Sequence, residues 1–145
     1  MKRVIILKGT SNVGKTSTLN ALIRKLLAKD SLVVYPEQSS VIPSFAIVEL
    51  EKHKIGIITF GDPTSETDVK SCLNQCLEND CDIIFAASRT RGNVYDILYH
   101  FAKTNHFATI ETSPLYAWKY EETGMLPNKL NESFSEMLCD LIIGH

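Results

Sequence analysis

An eight-residue segment near the start of the chain has the residue types and spacing of a phosphate-binding loop. Residues 9–16 read Gly-Thr-Ser-Asn-Val-Gly-Lys-Thr, which satisfies the pattern G-x-x-x-x-G-K-[ST] at all its fixed positions. The two glycines allow the backbone to curl until its N–H groups point at phosphate oxygens. Lys15 then reaches the β- and γ-phosphates, and the hydroxyl group of Thr16 is a ligand for Mg²⁺.

The segments on both sides of this motif have the patterns that such a loop requires. Residues 4–7 form a short, continuous apolar run, which is typical of a strand buried on both faces of a sheet. In residues 15–29 the apolar side chains recur at helical spacing, at Leu19, Leu22, Ile23, Leu26 and Leu27. The order strand, loop, helix is the one that phosphate binding needs.

With this motif in this setting, the chain resembles the P-loop NTPase superfamily, in motif over residues 4–27 and elsewhere only in architecture. The resemblance implies that main-chain amides from Asn12 to Thr16 hold the phosphates, reinforced by the positive end of the following helix. It implies ATP and Mg²⁺ as ligands, and GTP stays open because only missing guanine motifs argue against it. The candidate nucleotide-binding residues are Gly9, Asn12, Val13, Gly14, Lys15, Thr16 and Ser17.

Strand and helix patterns follow one another along the chain as far as residue 110. Strand patterns cover residues 32–35, 45–50, 55–60, 82–87 and 107–110, and helical patterns cover residues 66–79 and 93–104. The charged residues 51–54 are predicted to be the turn of a hairpin. We therefore expect a single α/β domain over residues 1–145. Its predicted fold is a three-layer sandwich of the P-loop NTPase type, with a mostly parallel sheet and one antiparallel hairpin.

The chain beyond residue 111 is harder to interpret. Residues 112–130 show no clear periodicity, and their alternating Tyr116, Trp118 and Tyr120 suit either a base-stacking surface or, more commonly, anchors in the core. Residues 131–143 have the pattern of a closing amphipathic helix.

Polar residues that follow the predicted strands are candidates for chemistry, because ligands of a parallel sheet bind at the carboxyl ends of its strands. Asp62 is the best candidate for an acid that holds Mg²⁺ together with Thr16, although it also suits a helix cap. Arg89 and Arg91 suit bidentate phosphate contact, and their alternative is a pair of solvated loop arginines. The candidate catalytic residues are Lys15, Asp62, Arg89 and Arg91, and the candidate metal ligands are Thr16 and Asp62.

Two glutamates occupy similar positions after strands. Glu37 and Glu111 each suit a base or a binding group for an acceptor hydroxyl, and equally an ordinary solvated side chain. Asp82 is an alternative to Asp62, but it opens its predicted strand and should lie at the opposite edge of the sheet.

The cysteines and histidines suggest no further site. In a reducing cytosol, Cys72, Cys76, Cys81 and Cys139 are most simply buried small hydrophobic residues. Cys72 and Cys76 are spaced for one helix face, but no second pair of metal ligands accompanies them. The histidines have no partners at recognisable spacing, so no role is predicted for them.

Composition limits the possible partners and location of the protein. The chain has 145 residues, 44% of them hydrophobic, and a net charge of −2, so no strong basic field favours bulk nucleic-acid binding. Only four strongly apolar residues separate Arg3 from Lys8, too few for a signal peptide or a membrane span. We expect a cytoplasmic protein without a membrane partner.

Three functions are compatible with these observations. Each of them binds a nucleoside triphosphate. In the first two, the γ-phosphate passes to a small acceptor, as in kinases, or to water, as in ATPases. The third is a nucleotide-binding switch or adaptor with little turnover. The identity of the acceptor and the oligomeric state stay open.

Overall fold

Six strands and three helices make up the part of the chain that the computed structural model describes, which is residues 2–8, 15–28, 32–35, 45–59, 66–89 and 92–112. In chain order these elements are β1 (Arg3–Lys8), α1 (Lys15–Ala28), β2 (Leu32–Tyr35), β3 (Phe45–Leu50), β4 (His53–Ile58), α2 (Glu66–Glu78), β5 (Ile83–Ser88), α3 (Asn93–Thr104) and β6 (Ala108–Thr112). The α/β class is confirmed. The predicted helix over residues 131–143 lies outside the described residues.

The strands form one mixed sheet in the order β2-β3-β4-β5-β1-β6. Strand β3 runs antiparallel to both β2 and β4, whereas the pairs β4–β5, β5–β1 and β1–β6 are parallel. The predicted hairpin is confirmed, and it lies within the sheet between β2 and β5. Strand β1 therefore has a parallel neighbour on each side, which suits its apolar sequence.

Helices cover both faces of this sheet. Both faces are apolar because successive side chains of a buried strand point to opposite faces. Ile5 and Leu7 pack in one apolar cluster with α1, whose contributing side chains are fully buried: Leu19, Leu22, Ile23 and Leu26. Val4 and Ile6 belong to a second cluster, with α2 and α3. Burying each such side chain contributes about 1.5–3 kcal/mol, so apolar packing holds the three layers together.

The turn of the hairpin is shorter than predicted. Strand β4 begins at His53, paired with Leu50, which leaves only Glu51 and Lys52 as the turn. Glu51 has φ 57°, as a two-residue hairpin turn requires of its first residue. The four-residue turn predicted over residues 51–54 was wrong because the polar start of β4 gave no strand pattern.

A side chain that immediately precedes the neighbouring strand holds the polar start of β4 in the sheet. Asp82, just before β5, accepts a 2.8 Å hydrogen bond from the Lys54 amide through Oδ1, and its Oδ2 lies 2.6 Å from Nδ1 of His53. These contacts replace the apolar burial that His53 and Lys54 cannot supply. They also place Asp82 at the amino end of β5, as expected, and give His53 a structural partner that its sequence context did not reveal.

Helices α2 and α3 end in the same way and lead directly into strands. After α2, Asp80 has φ 57° and the Cys81 amide donates a 2.9 Å hydrogen bond to the Cys76 carbonyl, which is the Schellman motif. After α3, His106 has φ 61° and the Phe107 amide closes an equivalent bond of 2.8 Å. Each motif satisfies carbonyl groups at the helix end and turns the chain towards β5 or β6.

The described cysteines are free and buried, which confirms the prediction for Cys72, Cys76 and Cys81; Cys139 lies outside the described residues. Burial, followed by the negative charge of Asp68, raises the pKa of Cys72 to about 11. A hydrogen bond with Cys81, followed by burial, raises the pKa of Cys76 far above its ordinary value. These groups remain thiols at neutral pH, so they act as packing groups rather than nucleophiles.

Two features are absent from the described ranges. No group of three or more His, Cys, Asp or Glu side chains there is arranged to hold a metal ion. No helix within those ranges is long and apolar enough to cross a membrane.

Candidate functional site

The glycine-rich motif begins where β1 ends and finishes in the first turn of α1. Strand β1 ends at Lys8 and α1 begins at Lys15, so residues 9–14 connect a buried strand to the amino end of a helix. The predicted ligands Gly9, Asn12, Val13 and Gly14 lie outside the described residues. The backbone of Lys15, Thr16 and Ser17 forms the start of α1, whose first turn contains no acidic residue.

The connections that follow the neighbouring strands β1 and β5 lie on opposite faces of the sheet. The connection after β1 runs through α1 on one face, and the connection after β5 runs through α3 on the opposite face. The two strands are neighbours, with Lys8 opposite Ser88. In open α/β sheets, ligands bind outside the carboxyl ends of neighbouring strands whose connections leave on opposite faces, and β1 and β5 are such a pair.

Arg89 lies at the same edge of the sheet, directly after β5. Ser88 is buried and its hydroxyl donates a 2.9 Å hydrogen bond to the Arg89 carbonyl, which fixes the backbone where the strand ends. The Arg89 residue is exposed. The fold thus brings Arg89 next to the strand that leads into the motif; Arg91 lies outside the described residues.

The predicted metal ligand Asp62 also lies outside the described residues, but the strand that leads to it is described. Strand β4 is parallel to β5 and β1, so all three end at the same edge of the sheet. Strand β5 separates β4 from β1.

A polar cluster that the sequence did not predict as a unit lies on the other side of β1. The Glu111 carboxylate on β6 is 3.5 Å from Nζ of Lys8 and accepts a hydrogen bond from the hydroxyl of Tyr95 on α3. The Lys8 ammonium lies 5.6 Å from the centre of the Tyr95 ring, which is within cation–π range. Lys8 immediately precedes Gly9, so this cluster adjoins the base of the motif.

The electrostatics of this cluster follow from its hydrogen bonds. The Tyr95 hydroxyl, followed by the charge of Lys8, lowers the pKa of Glu111. The same hydrogen bond to Glu111 raises the pKa of Tyr95. At neutral pH, therefore, the carboxylate is charged and the phenol is neutral. From sequence, Glu111 suited either a functional group or a solvated side chain. Lys8 and Tyr95 were missed because neither belongs to a recognisable motif.

A hydrogen bond and a groove lie between α2 and α3. At the carboxyl edge of the sheet, the Asn93 side-chain amide donates to the Glu66 carboxylate and so links the amino ends of the two helices. Between the helices lies a groove of about 610 Å³ with an apolar floor that includes Leu73, Ile97 and Phe101. The sequence patterns predicted both helices but not this groove.

No family model, curated protein or solved structure matches this chain.

Proposed function

We propose that this protein binds a nucleoside triphosphate with Mg²⁺ and transfers its γ-phosphate to an acceptor or to water. The observation that carries the proposal is the position of residues 9–16. The motif links an internal parallel strand to the amino end of α1, at the edge where the connections after β1 and β5 leave on opposite faces of the sheet. A G-x-x-x-x-G-K-[ST] sequence in this position has the two neighbours that phosphate binding requires, a strand before it and a helix after it.

The donor groups at this edge suit a polyphosphate. The first turn of α1 carries Lys15, Thr16 and Ser17 and no acidic residue, so its amino-end amides and side chains favour an anion. Arg89, directly after β5, adds a second cation at the same edge of the sheet. In the proposed site, main-chain amides from Asn12 to Thr16 bind the phosphates and Lys15 contacts the β- and γ-oxygens.

The remaining predicted residues act on the transferred group. Thr16 and Asp62 hold Mg²⁺, which when bound neutralises charge on the β- and γ-phosphate oxygens. Arg89 and Arg91 neutralise charge that develops in the transition state, because the planar guanidinium group suits bidentate contact with phosphate.

A comparison of two lysine variants tests nucleotide binding. Lys15→Ala should weaken ATP binding at least about tenfold, since a hydrogen bond to a charged group contributes roughly 1.5–3 kcal/mol. Lys103→Ala, at an exposed position near the end of α3, is the matched control and should leave affinity unchanged. Titration calorimetry with Mg²⁺ and ATP, and then GTP, measures both. Equal affinities for Lys15→Ala and wild type would refute the proposed site.

Product analysis separates the forms of the proposed function. Wild-type protein is incubated with Mg²⁺ and ATP, with and without pooled nucleosides, nucleotides, sugars and short oligonucleotides. Phosphate on an acceptor identifies a kinase, and free phosphate alone identifies an ATPase. In either case Arg89→Ala should lower turnover more than affinity, because it removes a contact that strengthens in the transition state.

A nucleotide-dependent switch with little turnover is the second candidate. The apolar groove between α2 and α3 favours it, because concave apolar surfaces between helices are common binding sites. Tight ATP binding without product in the same incubation would support this alternative over catalysis.

A further inference from the structure

A second surface lies next to the proposed phosphate site, on the side of α3 that faces β6. We call it the α3–β6 platform, and it consists of Lys8, Tyr95, Tyr99, Thr109 and Glu111. The rings of Tyr95 and Tyr99 are stacked, with centroids 6.4 Å apart and planes 13° from parallel. Tyr99 is 50% exposed, which leaves much of an aromatic ring open to solvent.

The polar residues of the platform lie at matching heights beside these rings. Tyr99 is one helical turn, about 6 Å, further along α3 than Tyr95. Thr109 is two residues, about 6.6 Å, before Glu111 on β6. Both β6 residues are paired with β1 residues whose side chains pack under α3, so they share the α3 face of the sheet. The chain passes down α3 and back up β6, which places Thr109 level with Tyr99.

The platform thus offers an aromatic surface at one end and a carboxylate at the other. The carboxylate of Glu111 accepts from Tyr95 and lies 3.5 Å from Lys8. Two carboxylate oxygens have about four acceptor positions, so Glu111 has capacity for another hydroxyl donor. Because Lys8 adjoins Gly9, the carboxylate end of the platform is the end closer to the phosphate motif.

We propose that the α3–β6 platform binds the nucleoside part of a phosphate acceptor, with its base stacked on Tyr99 and a sugar hydroxyl donating to Glu111. This inference rests on the proposed function and specifies its kinase form. Stacking on an aromatic side chain tolerates any base, since every base has a π face. The order base, sugar, reacting hydroxyl then runs along the platform towards the phosphate site.

The proposed transfer step moves the γ-phosphate from the nucleotide to a sugar hydroxyl of the acceptor. The sugar oxygen forms a bond to the γ-phosphorus, and the bond between that phosphorus and the bridging oxygen breaks. The nucleoside diphosphate leaves with the electron pair of that bond. The hydroxyl proton passes to the Glu111 carboxylate and from there to solvent.

Binding of unphosphorylated nucleosides tests the platform separately from the phosphate site. Adenosine, guanosine, cytidine and thymidine are titrated into the full chain with Mg²⁺ and a non-hydrolysable ATP analogue, with calorimetry as the readout. Tyr99→Ala should weaken nucleoside binding about 5- to 150-fold, the range for loss of one stacking contact. Tyr99→Phe keeps the ring and should bind as wild type. Lys103→Ala, at an exposed position further along α3, is the matched control.

The outcomes distinguish this inference from the proposed function. If Lys15→Ala loses the ATP analogue but Tyr99→Ala binds nucleosides like Lys103→Ala, the phosphate site stands and the platform is refuted. A wild-type protein that binds ATP but no nucleoside would likewise refute the platform and leave the phosphate site standing. Weaker ATP binding in Tyr99→Ala would instead make the platform a site for the donor base and overturn the acceptor role.

A turnover comparison completes the test. Glu111→Gln should lower phosphate transfer to a nucleoside by a larger factor than it lowers nucleoside affinity, and it should leave ATP affinity unchanged. Parallel reactions with free nucleosides and with a short oligonucleotide that ends in the same nucleoside distinguish the two sources of this chemistry. Equal loss of affinity and turnover would reduce Glu111 to a binding contact and refute its part in the transfer step.

Discussion

Substitution of Gly56 by alanine tests the packing between the sheet and α2. A Cβ atom in ideal geometry on Gly56 would lie 2.4 Å from Sγ of Cys76, far inside contact distance, and 3.7 Å from Sγ of Cys81. Cys76 has little room to yield, because it is fully buried near the end of α2 and hydrogen-bonded to Cys81. The glycine therefore allows α2 to pack closely on β4.

The expected cost follows from two opposing effects. Forcing an extra carbon into a well-packed core costs typically about 1–3 kcal/mol. Replacing glycine by alanine at a compatible backbone position stabilises a protein by about 0.4–1 kcal/mol, because it reduces the conformational entropy of the unfolded chain. We expect Gly56→Ala to lower the free energy of unfolding by roughly 1–2 kcal/mol, a substantial part of the 5–15 kcal/mol typical of a domain.

Denaturant unfolding of a double-mutant cycle measures this effect. In the Cys76→Ala background the sulfur is gone, so Gly56→Ala should become neutral or stabilising, with a coupling energy of at least about 1 kcal/mol. Gly92→Ala is the control, since a Cβ there meets no atom within 4 Å but the φ of 123° still strains alanine. Its cost should not depend on Cys76. If Gly56→Ala is equally destabilising in both backgrounds, the close contact is not the cause.

Two further predictions concern the helix ends and the buried thiols. Asp80→Gly and His106→Gly should each raise the free energy of unfolding by up to about 1 kcal/mol, since both residues have positive φ at positions that favour glycine. Unchanged stability in denaturant unfolding of both variants would contradict this. The pKa of Cys72 is raised from 9.0 to about 11, so its contribution to stability should be fully present below pH 9 and fall from there to about pH 11, as the unfolded state loses its proton first. The free energy of unfolding, measured across this pH range, should therefore fall less steeply for Cys72→Ala than for wild type. Equal slopes would refute the assignment of this pH dependence to Cys72.

Much of the described fold was predictable because the pattern of apolar residues along a segment indicates which of its side chains are buried. The runs that form β1 and β5 are continuously apolar, and both strands are buried between helices. The start of β4 was missed for the same reason, since His53 is held by Asp82 rather than by apolar packing.

The candidate site divides in a similar way. Residues 9–16 were identified from local sequence, because phosphate binding by a loop needs a fixed spacing of glycines, lysine and hydroxyl within one segment. The group formed by Lys8, Tyr95 and Glu111 has no such spacing, since its members come from β1, α3 and β6. No local pattern records a contact between residues 103 positions apart.

By itself, the sequence determined the elements of the described chain and the chemistry expected of the loop after β1. Only the tertiary structure decided the order of strands, which puts β5, the strand before Arg89, on one side of β1 and β6, the strand of Glu111, on the other. The physical reason is that helix and strand patterns depend on which side of each segment is buried. Strand order depends instead on how the connections cross the two faces of the sheet, and that choice is made by packing across the whole domain.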